Sequence, residues 1–485
     1  MMNYILKLMV LFIWNLGLVP GNHMSAFAGK QTASRIDFNR DWTFVKSDAK
    51  WPVEFDLEGK EMAGVILPHT WNADDMGPGL IDPYIGSAWY KKEFTAPELK
   101  AGQRLLIEFE GVNNCHKVWI NGGYAGGRNG GFLTSMIDAT DFLNEGSNAI
   151  LVRVDNSYDL KAGMPQWIGW NRYGGITQPV WVHVREHAYI DCAGVEIRTP
   201  EVSGDSAVTL VRTHIEETRY EGAVLELRHI LYSPEGTILS TSKRTVQAAF
   251  QTNSVELTLP AVLNPELWSD RSPTLYKLKT ELLEDGRVID EKESHIGYRF
   301  FSFDANNGFT LNGEPTQLKG VNIHRFFPGL GNALPERFYR EDMKLLKQMG
   351  CNYMRSSHYP RTRDVLDACD ELGILVLEEQ VYWHGSVRAT GGEEAISTAV
   401  RLVKDMVRQH GSHPSIIAWN TVNEIMIAPP YKPGYGYFLQ DDPERELWKL
   451  KPQEYPYLRR FLQDMVEAFR EVDPDRPVSL SLIHI

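Results

Sequence analysis

A chain of 485 residues is too long for one hydrophobic core, and at roughly 100 to 200 residues per domain it predicts about three domains. Lys and Arg together number 50 against 63 Asp and Glu, a formal charge of -13 with no basic block. That balance excludes nucleic acid and an anionic membrane surface as partners, because both are held by basic patches, and leaves small neutral or polymeric substrates open.

Residues 1–28 read as an export signal: Lys7 lies in a short charged region, Leu8 to Val19 is mostly apolar, and Ala26-Phe27-Ala28 supplies the small-x-small cleavage pattern. A membrane anchor is the alternative, but the apolar run is shorter than the roughly 20 residues that a spanning helix needs. The expected mature chain starts near Gly29 and is periplasmic or secreted, with no membrane association after cleavage. The four cysteines are scattered and match no metal-ligand spacing, so core packing is expected of them rather than a disulfide framework.

From 29 to 187 short alternating segments such as Ile107-Glu108-Phe109-Glu110 and Ile150-Leu151-Val152-Arg153-Val154 are broken by turns. Asn121-Gly122 after Val118-Trp119-Ile120 is a hairpin signal, and the whole reads as an antiparallel sandwich. A second alternating region, 188–297, contains Val224-Leu225-Glu226-Leu227, Leu275-Tyr276-Lys277-Leu278 and the turn Ser233-Pro234-Glu235-Gly236. Its length suits an immunoglobulin-like β-sandwich.

The period changes near Gly297, and residues 298–485 alternate strand and helix after a hairpin at Leu311-Asn312-Gly313. Strands are predicted at 317–322, 352–356, 374–379, 415–419 and 477–482, with helices at 335–349, 362–372, 393–410 and 455–472 between them. Pro335, Gly350 and Gly373 punctuate the helices, and Tyr339, Met343 and Leu346 share one helical face. This rhythm predicts a parallel sheet of (β/α)8 TIM-barrel type; a closed barrel needs eight of each element, so the expectation is an incomplete barrel.

In such a barrel the chemistry gathers where strands end at the C-terminal face. The ends carry Asn322, His324 and Arg325; Arg355 to Tyr359; Glu378, Glu379, Trp383 and His384; and Trp419, Asn420, Asn423 and Glu424. Carboxylates, imidazoles, amides and indoles in one rim suit a polyhydroxylated ligand. A carboxylate following a buried strand, beside the Asn423 amide, is placed to exchange protons with a sugar oxygen. For Arg355, a bridge to Glu378 or Glu379 and a direct substrate contact are both open readings.

The stretch Asn352-Tyr353-Met354-Arg355-Ser356-Ser357-His358-Tyr359-Pro360 resembles the first signature of glycoside hydrolase family 2, the β-galactosidase, β-glucuronidase and β-mannosidase group. Ser412 to Glu424, with His413-Pro414 and Asn423-Glu424, is similar to the second, although Ser412 stands where that signature commonly has Asn. Pro68-His69-Thr70-Trp71-Asn72, Ala88-Trp89-Tyr90, Tyr173-Gly174-Gly175-Ile176 and Leu318-Lys319-Gly320-Val321-Asn322 extend the similarity across all three regions. The resemblance implies a jelly-roll sugar-binding domain, an immunoglobulin-like domain and a catalytic barrel. It also implies a retaining exo-β-glycosidase, with β-galactosidase the first expectation, β-glucuronidase or β-mannosidase the alternative, and a β-linked glycoside or oligosaccharide as substrate.

By the same resemblance Glu424 is the general acid/base, Asn423 the amide that contacts the sugar 2-hydroxyl, and Arg355 and His358 active-site positions beside them; together with His384, and with Trp419 and Asn322 from the strand-end rim, they make up the expected substrate-binding set, a core position being the other open reading of Trp419. The family's nucleophile lies near the seventh strand end and this chain reaches about the fifth, so no residue is assigned that role and residues 29–485 alone are expected to be inactive. A non-catalytic carbohydrate-binding protein is the competing reading. No cofactor is expected and no metal is assigned, because Tyr382 occupies the position where magnesium-assisted galactosidases carry a carboxylate, two residues before His384.

Overall fold

The computed structural model describes residues 35–57, 59–73, 83–157, 173–325, 327–381, 392–423 and 455–481. The first region is a sandwich of two antiparallel sheets. One has six strands in the order Ala63–Val65, Trp42–Lys46, Ser87–Thr95, Ser147–Asp155, Cys115–Ile120, Gly123–Arg128. The other has four, Arg35–Asp37, Val180–Arg185, Arg104–Phe109, Ser135–Asp138. Alternation explains the layering: Ile150, Val152 and Val154 face Leu105, Ile107 and Phe109 in a shared core while their neighbours point away. Asn121 and Gly122 both take positive φ, 49° and 84°, as the tight hairpin between Cys115–Ile120 and Gly123–Arg128 requires.

The second region pairs the sheet Ala188–Val202, Ser206–Glu217, Gln251–Thr258 with the sheet Ile238–Ala248, Ala223–Tyr232, Tyr276–Glu284, Arg287–Ile296. Ser206–Glu217 buries every second residue, and Val211 and Ile215 meet Leu225, Leu227, Leu278 and Leu282 between the sheets. A small sheet, Phe301–Asp304, Gly308–Leu311 and Glu314–Pro315, follows. Its Phe309 and Leu311 pack with Trp268 against Leu375 and Ile417 of the parallel sheet that comes next.

That parallel sheet has five strands in sequential order: β1 (Gly320–Ile323), β2 (Tyr353–Ser356), β3 (Leu375–Glu379), β4 (Ile416–Asn423) and β5 (Val478–Ser481). The connecting helices are α1 (Glu336–Gln348), α2 (Arg363–Leu372), α3 (Gly392–His410) and α4 (Tyr455–Val472). Tyr339, Met343 and Leu346 of α1 are buried against the sheet, the face that the sequence predicts. Gly373 ends α2 in the left-handed conformation and its N–H bonds back to the Cys369 carbonyl, the helix stop that glycine supplies without steric cost. All four cysteines are free thiols, with Cys115 and Cys369 buried in the core. Among the described residues no helix is long and apolar enough to cross a membrane.

Strand β4 runs four residues beyond its predicted end at Trp419, so Asn420, Thr421 and Asn423 lie on the strand itself. All eight of its residues are buried. Its polar side chains find local partners: Thr421 Oγ1 donates to the Ser479 carbonyl at 3.2 Å and Asn420 Nδ2 to the Val422 carbonyl at 3.1 Å.

Candidate active site

The ends of β2, β3 and β4 converge on one carboxylate. Glu379, fully buried at the end of β3, accepts from Arg355 Nε through Oε2 and from His358 Nδ1 through Oε1, both at 2.7 Å. Its own backbone N–H donates to Ser356 Oγ at 2.6 Å, which ties the end of β3 to β2. Arg355 is thereby held along the sheet, and its Nη2 reaches Asn423 Oδ1 on β4 at 2.8 Å. A guanidinium only donates, so Asn423 must turn its carbonyl oxygen to Arg355 and present its NH2 elsewhere, as a donor suited to a hydroxyl oxygen.

Between the two readings of Arg355, the bridge is therefore formed, and its partner is Glu379 rather than Glu378. Adjacent strand residues point to opposite faces, and Glu378 points to the helix layer. There it accepts from the Arg361 backbone N–H at 2.7 Å and from His410 Nδ1 at 3.2 Å. Burial alone would raise its carboxyl, but the His410 hydrogen bond, the imidazole's charge and the Arg361 N–H outweigh burial and hold it below the ordinary range. Burial in turn holds the His410 ring below its usual value, against the opposing pull of the Glu378 hydrogen bond and charge.

Trp419, expected in the substrate set, is a correction. Its side chain is fully buried on the helix side, stacked on Phe469 of α4 at 5.8 Å, with its indole N–H donating to Asp473 Oδ2 at 2.8 Å. The reason is that two irregularities break strict alternation in β4, one between Ile416 and Ala418 and one between Asn420 and Asn423: Trp419 packs into the helix-layer core with Ile416 and Val422, whereas Asn423, four residues on, reaches Arg355. Asn322 is exposed on β1, in register with Arg355. Glu424 and His384 lie outside the described residues.

Two groups carry more of the site than sequence reasoning assigned to them. His324, just past β1, has its ring 5.3 Å from that of His358; burial, then the charges of His358, Arg361 and Arg355, pull it down to about 4, so the ring is neutral near pH 7. Phe132, from the first sandwich, stacks flat on Tyr359 with centroids 4.8 Å apart and planes 10° apart. The sandwich thus supplies part of the wall behind β2. Gly130-Gly131 before Phe132 was the available signal, since paired glycines mark a loop that approaches another surface closely. His413 of the second signature is structural: its Nδ1 meets Asp370 Oδ2 at 2.6 Å while Asp370 Oδ1 accepts the Ser415 N–H at 3.0 Å, which pins the turn leading into β4. Asp367, Asp370 and His413 lie close enough together to hold a cation, but these hydrogen bonds already engage Asp370 and His413.

A pairing of arginine, histidine and amide around one buried carboxylate, at the C-terminal face of parallel strands, is a polar cradle for a hydroxylated ligand. Three family models match successive stretches of the chain: the family 2 sugar-binding domain over 75–181, the central glycosyl hydrolases family 2 domain over 189–299, and the family 2 TIM-barrel domain over 305–482. The chain belongs to glycosyl hydrolases family 2. It is 31% identical over 450 residues to a putative β-glucuronidase of Formosa agariphila, covering 92% of this chain and 51% of that protein. It is 29% identical over 395 residues to a β-galactosidase of Thermoanaerobacter pseudethanolicus, covering 80% and 52%. Among solved structures, Bacteroides uniformis β-glucuronidase 2, covalently bound to a cyclophellitol-6-carboxylate aziridine, superposes with a TM-score of 0.81 at 28% identity over 93% of this chain and 52% of that one. The chain spans about half the length of these family 2 relatives.

Proposed function

We propose that this chain carries the sugar-binding and acid/base part of a retaining exo-β-glycosidase. The observation behind the reading is the Glu379-centred network, which orients Arg355, His358 and the Asn423 amide together immediately before Glu424. In this scheme the Asn423 NH2 donates to a hydroxyl of the terminal sugar. Glu424 protonates the leaving oxygen and then takes a proton from the incoming water, while a second carboxylate attacks the anomeric carbon. Neither Glu378 nor Glu379 is assigned that second role, because each is fully buried and held by two hydrogen bonds to its carboxylate.

A terminal β-galactoside remains the first substrate in this proposal. A β-glucuronide is the second, supported by relatives that bear that name. Export through residues 1–28 belongs to the same proposal, and N-terminal sequencing of the secreted product should start near Gly29.

The test is titration of residues 29–485 with galactose and with glucuronate, alongside hydrolysis of the two nitrophenyl β-glycosides. Binding of one sugar without turnover is expected, with binding weakened at least tenfold by Asn423→Ala. Turnover that disappears in Glu424→Gln would place a second carboxylate within these residues. Failure to bind either sugar would favour abandoning the glycosidase reading.

A further inference from the structure

Away from the cleft, a cavity of about 200 Å³ opens between the second sandwich and the parallel sheet, lined among others by Arg198, Thr199, Arg299, Phe301, Asp473 and Arg476. Two of its arginines are neutralised. Arg198 grips Asp475 with two hydrogen bonds of 2.8 Å, and Arg476 donates to Asp473 at 2.6 Å. Arg299 has no such partner: it is 8% exposed, its Nη2 donates to the Ile416 carbonyl at 2.9 Å, and its Nε is buried with no acceptor. The Ile416 oxygen already takes Arg476 Nε at 2.8 Å, so a single neutral carbonyl serves two guanidiniums.

Among the charged groups lining the cavity, three arginines stand against two aspartates, each already bonded to another arginine, so Arg299 is left with no carboxylate bonded to it. Burial, reinforced by Arg476, drags Arg299 down to about 9 against the partial compensation that Asp473, Asp370 and Asp475 provide from a distance. A guanidinium scarcely deprotonates in proteins, so the physical remedy is a counter-ion. Phe301, which lines the same cavity, lies against the Arg299 guanidinium, 5.5 Å from ring centroid to carbon. The volume equals about six or seven waters of liquid, enough for a small oxyanion with its hydration and too little for an oligosaccharide.

We propose that this cavity is a binding site for a small oxyanion, held by Arg299 and separate from the sugar cleft. A guanidinium fork matches two oxygens of a carboxylate or a phosphate, and both share that chemistry. The inference does not depend on the glycosidase reading.

Isothermal titration of the full chain with inorganic phosphate, and in a separate arm with acetate, at constant ionic strength balanced by chloride, tests it. At least one of the two should bind at a single site and raise the melting midpoint, since a ligand of the folded state alone stabilises that state. Arg299→Met should abolish both effects. Should that variant not fold, Thr199→Asp keeps the test open: a carboxylate supplied inside the cavity should remove anion binding while the protein melts no lower than the parent. Absence of binding by either anion at tens of millimolar, or unchanged binding in Thr199→Asp, would overturn the proposal.

Discussion

Removal of the Glu379 carboxylate would leave the Arg355 guanidinium and the His358 ring without their shared acceptor in a buried setting. Losing one partner of a buried ion pair typically costs ~3–5 kcal/mol, so Glu379→Ala should show a loss of that order in urea unfolding. Glu379→Gln, which keeps one oxygen acceptor, should lose clearly less; equal losses would mean that charge contributes nothing here. Trp419 calls for the opposite experiment. Trp419→Phe forfeits a hydrogen bond to the buried Asp473 carboxylate, worth about 1.5–3 kcal/mol, yet should leave monosaccharide affinity unchanged because the indole faces α4. If that variant weakens sugar binding as much as Asn423→Ala does, the indole reaches the cleft after all.

Helix ends make a graded test at the next scale. Gly350 and Gly373 both take positive φ, 82° and 67°, just past α1 and α2. A Cβ on Gly350 would meet nothing within 4 Å, whereas one on Gly373 would fall 2.6 Å from the Asp270 carbonyl oxygen. Gly350→Ala should therefore cost only the left-handed penalty, ~1 kcal/mol, and Gly373→Ala distinctly more, read from denaturant midpoints. The positions of both stops were legible in the sequence because helix punctuation is local; the difference between them depends on a chain segment about a hundred residues earlier. Strand β4 shows the converse limit. Its last four residues were not legible, since Asn420, Thr421 and Asn423 break an apolar run, and only neighbouring strands satisfy such groups inside a sheet.

Across the whole molecule, all three regions carry histidines that burial holds below the ordinary 6.5. His116 is pulled to about 3, and His69, His229 and His324 to about 4, with Lys46 adding to the effect at His69 and positively charged neighbours at His116 and His324. A lowered pKa means that the folded chain binds fewer protons than the unfolded one. The stability these rings confer is therefore present above about pH 6.5 and is lost as pH falls toward 4, at up to ~1.4 kcal/mol per pH unit for each ring. His413, raised by Asp370 against its own burial, works in the other direction, contributing below 6.5 and losing that contribution as pH climbs through its raised value. With His410 also lowered by burial, five described rings against one predict a net fall in urea midpoint from about pH 7 to about pH 4.5, and a flat profile would contradict the burial of His116 and His229.

The sequence by itself determined two alternating β regions followed by a strand-helix repeat, the family, and the strand ends where the polar residues gather. These are encoded in periods of two and 3.6 residues and in motifs of a dozen positions. Tertiary structure decided which face of each strand a side chain takes, and so moved Trp419 into the core and made Glu379 the organiser of the cleft. It also brought Phe132 onto Tyr359 and left Arg299 lining a cavity with no carboxylate bonded to it. Such outcomes depend on groups far apart along the chain, whose desolvation and pairing are settled only when the sheets and helices have packed.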